Sequence, residues 1–451
     1  MPTLPVTKLR PPRSAALRVP RVRLDAALDE SRATRRATLV LAPAGYGKTT
    51  LVASWGAKLT PAIAWFGIDA GDDPGTLDER AADGLVGAWL EAALAESGAV
   101  AAGAAAALAD GEGSLVQALA AALSASAWQG VVVVDDAHEL GSTAAHALAR
   151  WIDRAPDGVH TVILARQAPH LPVARWLARA DVALIQADAL RMRTPEARTL
   201  LAHALPDLPE PLADALTERV EGWAAGLHLA ARSLQGRADP ADVIERFTGT
   251  DRYVLAFLTE EVLLRLPDDL HEASILLAGE PRLCAGLVNA LTGRSDGAAL
   301  LTRLESHEAF LERLDDVRDA DAPWFRFPGF FRDLLAHRRA LVAPDLGATL
   351  RERAAAWWRT RPELDPAPVV RARELDRDDA RSVDLTVRVD LTVREEEVLR
   401  LLVAGSSTKA AARALGVSPN TVKTHTRHLF EKLGVRTRLE AAARARDLGL
   451  T

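Results

Sequence analysis

Cysteine is almost absent: Cys284 stands alone in 451 residues. No disulfide can form within the chain, and a lone thiol fits a reducing compartment. Long apolar runs are missing as well. No stretch approaches the roughly 18 consecutive apolar residues that a membrane helix needs. The alanine-rich run at 100–108 is too short and too weakly hydrophobic for that task. Residues 1–24 are basic and dotted with proline but hold no apolar core, so no secretory signal is read there. These absences predict a cytoplasmic protein with no membrane partner. The composition is otherwise ordinary for a globular chain, 49% hydrophobic and 26% charged. The length suffices for roughly two to four domains.

Net charge is small overall, −6, but unevenly spread. Residues 388–451 carry twelve Lys and Arg against seven Asp and Glu, a net of +5, so the rest of the chain carries −11 of the overall −6. A basic tail on an acidic body points to a polyanionic partner for the tail. A solvated charged face would look the same by charge alone, and the pattern of residues decides between them.

That pattern is helical. Residues 391–405 read as a first helix, with Thr392 as N-cap, Glu395 completing a capping box, and Val398, Leu401 and Leu402 as the apolar stripe. Gly405 ends it. A second helix at 408–415 is closed by Gly416. Ser418 then caps a third, at 420–433, with Pro419 at its first position. Val422, Leu429 and Leu433 form the inner face of that third helix. Thr421, Lys423, Thr424, Arg427 and His428 are left outward and concentrate toward its N-terminal half. Short polar and cationic side chains there are what a helix entering the major groove requires. A fourth helix, 439–448, has an alanine-rich face suited to self-association. The runs Leu391-Thr-Val-Arg-Glu-Glu-Glu-Val-Leu399, Ser418-Pro-Asn-Thr-Val-Lys-Thr-His425 and Lys432-Leu-Gly-Val-Arg436 resemble the LuxR-type helix-turn-helix. The resemblance implies that Lys409, Thr421, Lys423, Thr424 and His425 contact DNA, with Lys432 on the backbone and Arg427 beside them. One departure concerns Ala411, which stands where that family usually has isoleucine, so a thinner core is expected.

Near the other end, residues 37–42 read as a strand leading into Ala42-Pro43-Ala44-Gly45-Tyr46-Gly47-Lys48-Thr49-Thr50 and a following helix. This is a P-loop with alanine at the usual first glycine, in the strand-loop-helix setting that the motif needs. Backbone N–H groups at 45–48 can wrap a phosphate. Lys48 is expected to neutralise β/γ charge, and the Thr49 hydroxyl to ligate Mg2+. The run Gly130-Val-Val-Val-Val-Asp135-Asp136 reads as a buried parallel strand ending in two acids. Asp135 is expected on the Mg2+ and Asp136 to orient an attacking water. A third strand, at 161–166, ends in Arg166, a candidate sensor of the γ-phosphate. Three apolar strands alternating with helices predict an α/β domain with a doubly wound parallel sheet and its ligand at the strands' C-terminal ends.

Further motifs carry a wider resemblance. Thr7-Lys-Leu-Arg-Pro-Pro12, Val19-Pro-Arg-Val-Arg-Leu24, Ala64-Trp-Phe-Gly-Ile-Asp69, Glu221-Gly-Trp-Ala-Ala-Gly-Leu227 and Trp324-Phe-Arg-Phe327 look like the MalT-type large ATP-binding LuxR regulators, of the STAND class of P-loop ATPases. The resemblance implies ATP or ADP as ligand, Arg21 and its neighbours against base and ribose, and a helical segment behind the nucleotide. It implies a winged-helix subdomain clamping a closed state, and a slow switch-type ATPase at most. Promoter DNA, RNA polymerase and further copies of the chain are the implied partners. The implied division is a P-loop domain at 1–175, a helical subdomain at 176–238, a winged-helix subdomain at 239–345, a remnant of a helical-repeat sensor with linker at 346–390, and an all-α helix-turn-helix domain at 391–451.

Two departures qualify this. The winged helix of such proteins usually offers the nucleotide a histidine, where this chain has Pro328 and Gly329. The sensor is reduced to a helix or two. A tandem repeat, Val383-Asp-Leu-Thr-Val-Arg388 and Val389-Asp-Leu-Thr-Val-Arg394, marks a junction after it. His138, His160, His170, His203 and His228 show no metal-ligand spacing and read as surface or packing residues. Trp357 and Trp358 read as core. The expectation is therefore a DNA-binding transcription regulator, an activator, whose nucleotide state controls conformation and self-association. A nucleotide-indifferent regulator with a vestigial P-loop stays open beside it. A P-loop motor with a DNA anchor is the third reading.

Overall fold

The computed structural model describes residues 5–12, 19–60, 63–101, 103, 113–126, 128–167, 170–237, 239–307, 309–314 and 323–361, with 398–399, 412, 415, 422, 425–426 and 441 as isolated positions. The chain falls into two compact units, Met1–Glu245 and Arg246–Thr451.

The first unit is built on five parallel strands. They are β1 (Ala37–Leu41), β2 (Ala64–Gly67), β3 (Gly130–Asp135), β4 (Val159–Ala165) and β5 (Val182–Gln186), in the order β2-β3-β4-β1-β5. Strands β3 and β4 are buried along their whole length. A parallel strand covered on both faces cannot alternate polar with apolar side chains, which explains the unbroken valine run. The sequence reading recognised β1, β3 and β4; β2 and β5 are the sheet's outer strands. Their order matters for function. Strand β4 lies between β1 and β3, with Leu41 level with Ala165 and Val134 level with Ile163. The residues leaving β1, β4 and β3 therefore emerge side by side at one edge of the sheet.

Helices cover the sheet. These include α1 (Val22–Thr34), α2 (Lys48–Gly56), α3 (Glu79–Glu96), α4 (Leu115–Ser126) and α5 (Ser142–Arg154). Trp89 and Trp151 from α3 and α5 sit in one apolar cluster with Phe66 and Val132 of the sheet. The buried Asp83 of α3 accepts from Ser114 Oγ at 2.7 Å and from the Leu115 N–H at 2.7 Å, so it caps α4 from outside that helix.

A buried polar trio lies in the same unit. Thr38 Oγ1 is 2.6 Å from Ser31 Oγ and 2.9 Å from His160 Nε2, while His160 Nδ1 donates to the Arg35 carbonyl at 3.0 Å. A carbonyl only accepts, so Nδ1 carries the proton and Nε2 is bare. Burial pushes His160 down to about 4. The unfolded chain then binds a proton that the native state refuses between about pH 6.5 and 4, so stability is full above 6.5 and is lost as pH falls. The lowered value corresponds to roughly 3 kcal/mol across that window. We expect a His160→Asn variant to lose less stability than the parent between pH 7 and pH 4.5 in urea titrations. Parallel pH dependences would refute a buried neutral imidazole.

Among its described residues the second unit is helical, with one small antiparallel strand pair. Helices Arg252–Glu261, Asp268–Leu277, Ala285–Thr292 and Gly297–Ser306 precede β6 (Glu312–Leu314) and β7 (Trp324–Arg326), which pair antiparallel. Helix Gly329–Val342 follows, then Leu346–Arg359. Phe327, Phe330 and Phe331 are buried. Pro328 is the N-cap of the helix at Gly329, and its carbonyl accepts from Phe331 and Arg332. Positions 328 and 329 thus start a helix and offer no side-chain donor. Trp357 and Trp358 are core, as read, with Trp358 stacked on Trp324 at 5.9 Å.

Of the helix-turn-helix segment, Val398, Leu399, Ala412, Leu415, Val422, His425, Thr426 and Ala441 are helical. Val398 and Val422, assigned to inner faces, are buried. The remaining readings there lie outside the described residues: Lys409, Thr421, Lys423, Thr424, Arg427, His428 and Lys432. So do the tandem repeat and the linker before it. Among the described residues no helix is long and apolar enough to cross a membrane.

Candidate functional site

β1 runs straight into the loop at 42–47, and α2 begins at Lys48. Two positions in this loop need glycine. Gly45 and Gly47 have φ of +78° and +81°, in the left-handed region that a Cβ disfavours. Gly47 is also the N-cap of α2, so the loop's amides collect at a helix N-terminus, where an anion is favoured. Lys48 is buried and reaches back over the loop, with Nζ donating to the carbonyls of Ala42 at 2.7 Å and Pro43 at 3.2 Å. Ala42, Ala44 and Tyr46 are buried; Thr50 is exposed. Tyr46, expected among the ligand contacts, is 1% exposed and packs into the protein.

The acidic side of the site faces α2. Thr49 Oγ1 donates to Asp135 Oδ1 at 3.2 Å. Asp135 is only 4% exposed. Burial, and then the charge of Asp136, push its carboxyl up to about 7, against the opposing pull of Thr49, the Asp136 amide and Lys48. A hydroxyl and a carboxylate converging here are hard oxygen donors of the kind Mg2+ takes, so the residues fit a divalent cation. Asp136 follows in a left-handed conformation, φ +54°, and its N–H donates to Asp135 Oδ1 at 3.1 Å. A non-glycine residue held there stores strain, a feature common at functional sites. Its side chain is 47% exposed. Arg166 is the first residue beyond β4, so it leaves the sheet beside the loop.

A distant segment closes the site from the other side. The indole Nε1 of Trp223 donates to the Ala44 carbonyl at 3.1 Å, and the Ala225 N–H to the Gly45 carbonyl at 2.9 Å. Helix Ala224–Leu234 therefore starts against the phosphate loop. A Cβ on Gly45 would lie 2.6 Å from Ala225 Cβ and 2.7 Å from Trp223 Nε1. The sequence reading assigned Trp223 to a segment behind the ligand. It did not find these two bonds, because nothing local to either stretch signals a contact across 179 positions.

Between these elements is a cavity of about 460 Å3. Val19, Pro20 and Arg21 form one wall, and Met192, Leu200 and Ala225 another. Gly45, Gly47 and Thr50 stand at its loop end, and His228 also borders it. Arg21, expected against the base, has its guanidinium committed elsewhere. It donates to the carbonyls of Leu190 at 2.8 Å and Arg191 at 3.2 Å and pairs with Glu196 at 3.0 Å. Burial pulls its pKa down, the pairing with Glu196 opposing. Its main role in this structure is to tie the entry segment to the helices beyond β5.

Comparisons with known proteins agree with this architecture. Residues 389–445 match the family described as "Bacterial regulatory proteins, luxR family", and residues 259–346 match "MalT winged helix domain". The "Serine/threonine-protein kinase PknK" of Mycobacterium tuberculosis is 32% identical over 417 residues, 89% of this chain and 36% of that protein. The "HTH-type transcriptional regulator MalT" of Yersinia enterocolitica is 31% identical over 327 residues, 70% of this chain and 35% of that protein. Its namesake in Cronobacter sakazakii is 29% identical over 307 residues, 67% of this chain and 33% of that protein. The chain thus spans about a third of the length of these relatives. Among solved structures, the Walker-type ATPase of Pyrococcus abyssi aligns with a TM-score of 0.50 at 15% identity, covering 72% of this chain and 98% of that one. That likeness concerns the fold.

Proposed function

This is a MalT-like chain that joins a P-loop ATPase fold and a winged helix to a LuxR-family domain, and from that premise we propose a DNA-binding transcription regulator governed by the nucleotide it holds. One observation carries the reading. A phosphate-type loop, with its Thr49–Asp135 pair, shares a chain with a LuxR-family segment at 389–445. The proposed ligands are ATP and ADP with Mg2+, and the proposed compartment is the cytoplasm. The proposed division follows the boundaries drawn from sequence, from a P-loop domain at 1–175 to a helix-turn-helix domain at 391–451.

In this reading the loop amides at 45–48 and the Lys48 ammonium hold the phosphates. Thr49 and Asp135 hold the cation, which when bound would offset phosphate charge. Asp136 orients water, and Arg166 senses the terminal phosphate from the end of β4. Trp223 and Ala225 hydrogen-bond the loop directly, so a change in the loop is felt at the start of helix Ala224–Leu234. That link supports a switch in which nucleotide state alters conformation, self-association and promoter binding, with activation through RNA polymerase as output. The kinase activity in the name of the Mycobacterium relative is not brought to this chain. Protein kinases carry their phosphate-facing lysine on a strand, whereas Lys48 opens a helix.

The test uses the full chain. Lys48→Ala is expected to weaken ATP and ADP binding at least about 30-fold, since it removes the cation that meets the phosphates and leaves two carbonyls without their donor. Calorimetry measures this. If the unaltered chain binds neither nucleotide, the switch reading fails. The rival then stands: a regulator indifferent to nucleotide, favoured by the absence of a side-chain donor at Pro328 and Gly329. For the DNA end, Lys423→Ala is expected to weaken promoter binding and lower the salt slope by about one. An unchanged slope in a fluorescence-anisotropy titration would count against the assigned recognition helix.

A further inference from the structure

The cavity beside the phosphate loop ends in an ion pair that the roles assigned so far do not use. Thr50, Ser54 and Lys58 all border it and are spaced four apart, so they run down one side of α2 and the turn after it. From Thr50 to Lys58 the rise is about 12 Å, room for a sugar and a flat base beyond the phosphates. The walls along this run are apolar: Val19, Leu51, Met192 and Leu200. Apolar walls with a few polar groups at one end are what orient a ring system in a pocket.

At that end Lys58 Nζ donates to Asp25 Oδ2 of α1 at 2.7 Å. The Asp25 side chain is 16% exposed and that of Lys58 60%. Oδ1 of Asp25 accepts no hydrogen bond among the described residues. Lys58 donates to no other acceptor among them, and an ammonium has three protons. The pair therefore offers one vacant acceptor beside one available donor.

The geometry points to Asp25 and Lys58 as the pair that reads the base, with adenine as the base read. This rests on the nucleotide reading of the site. An adenine edge has one donor, the 6-amine, beside one acceptor, N1. Asp25 Oδ1 takes the first and Lys58 donates to the second. A guanine edge can also meet the pair, with O6 accepting from Lys58 and N1–H donating to Oδ1, but its 2-amine is a further donor. The carboxylate oxygen that this amine wants is the one Lys58 already occupies, so guanine is left with an unmatched amine. The pair carries no net charge and so does not disturb the phosphate end.

The test compares ATP, GTP and the triphosphate of purine riboside, which keeps N1 and lacks the 6-amine, by competition against a fluorescent nucleotide on the full chain. The unaltered chain is expected to prefer ATP about tenfold over the purine riboside form, the effect of one partly solvated hydrogen bond to a charged acceptor. In Asp25→Ser that ratio is expected to fall to about one, with binding of the purine riboside form retained. Retained binding shows that the loop is intact. In Lys58→Met both Asp25 oxygens become vacant, and GTP is expected to gain on ATP. That variant carries the test if Asp25→Ser does not fold. An unaltered chain that binds all three equally, or an unchanged ratio in Asp25→Ser, or no gain by GTP in Lys58→Met, overturns the base-reading role and leaves the phosphate site standing. A chain that binds none of them overturns the site and this role together.

Discussion

Gly249→Ala is expected to unfold the second unit under conditions in which the first persists. A Cβ at this position would lie 1.6 Å from the carbonyl oxygen of Phe330, 2.7 Å from its carbonyl carbon and 3.2 Å from the Leu334 nitrogen. All three are backbone atoms of helix Gly329–Val342. Overpacking a core usually costs about 1–3 kcal/mol, because side chains change rotamer to make room. A helix backbone has no such freedom. The helix would have to move by more than 1 Å, and it carries Phe330, Phe331, Leu334 and Leu335 in the core, with Phe310 against both phenyl rings at 5.7 and 5.3 Å. A loss of about 4 kcal/mol or more follows, in the range reserved for severe core defects. Gly293→Ala is the control. Gly293 has φ +72° but open space around it, so only the conformational term, about 1–2 kcal/mol, applies. Hydrogen exchange of the 329–342 amides reads both. Similar protection in the two variants would mean that the helix does not rest on Gly249 as described.

The contrast between these glycines marks what a sequence can convey. The phosphate loop was legible because its chemistry demands particular residues in consecutive order: two glycines in left-handed backbone, then lysine and threonine at a helix start. The strand that carries Asp135 was legible because an unbroken valine run closed by two acids marks a buried parallel strand and its end. Gly249 carried no such sign, since its reason is another helix eighty residues away. Tyr46 sits inside the motif, where its amide belongs to the loop, while its burial at 1% exposure is set by packing that the motif does not show. Arg21, expected against base and ribose, borders the cavity, but the carbonyls of Leu190 and Arg191 that take its guanidinium belong to a stretch that shows no matching pattern. Asp25 and Lys58 belong to no motif in the sequence. Only the fold brings the two helices together and makes a donor–acceptor pair at the end of a cavity. What sequence conveys well is local backbone demand and local chemistry; what it conceals is which remote surface completes them.

Gly45→Ala is expected to disable the phosphate site more severely than Gly47→Ala, although both glycines lie in the same motif with nearly the same φ. For each, alanine in the left-handed region costs about 1–2 kcal/mol. At Gly47 that is most of the penalty, because the nearest atom to a new Cβ is Ala224 Cβ at 3.9 Å, an ordinary contact. At Gly45 the new methyl meets Ala225 Cβ at 2.6 Å and Trp223 Nε1 at 2.7 Å. To make room, the segment at 223–225 must draw back, and it then breaks the indole bond to Ala44 and the amide bond to Gly45. Each lost bond leaves a polar group without its partner, at about 1–3 kcal/mol apiece. The loop also loses the contact that holds its shape for a phosphate. We expect nucleotide affinity to fall about 100-fold in Gly45→Ala, or about 2.7 kcal/mol, and about tenfold or less in Gly47→Ala. Stability should fall in the same order. Adding Trp223→Ala to Gly45→Ala relieves half of the clash, so the double variant is expected to bind nucleotide no worse than Gly45→Ala alone, although Trp223→Ala by itself weakens binding. Additive losses in calorimetric titration would mean that the two positions act independently. The helix Ala224–Leu234 would then not sense the loop through Gly45, and the proposed switch would need another route out of the site.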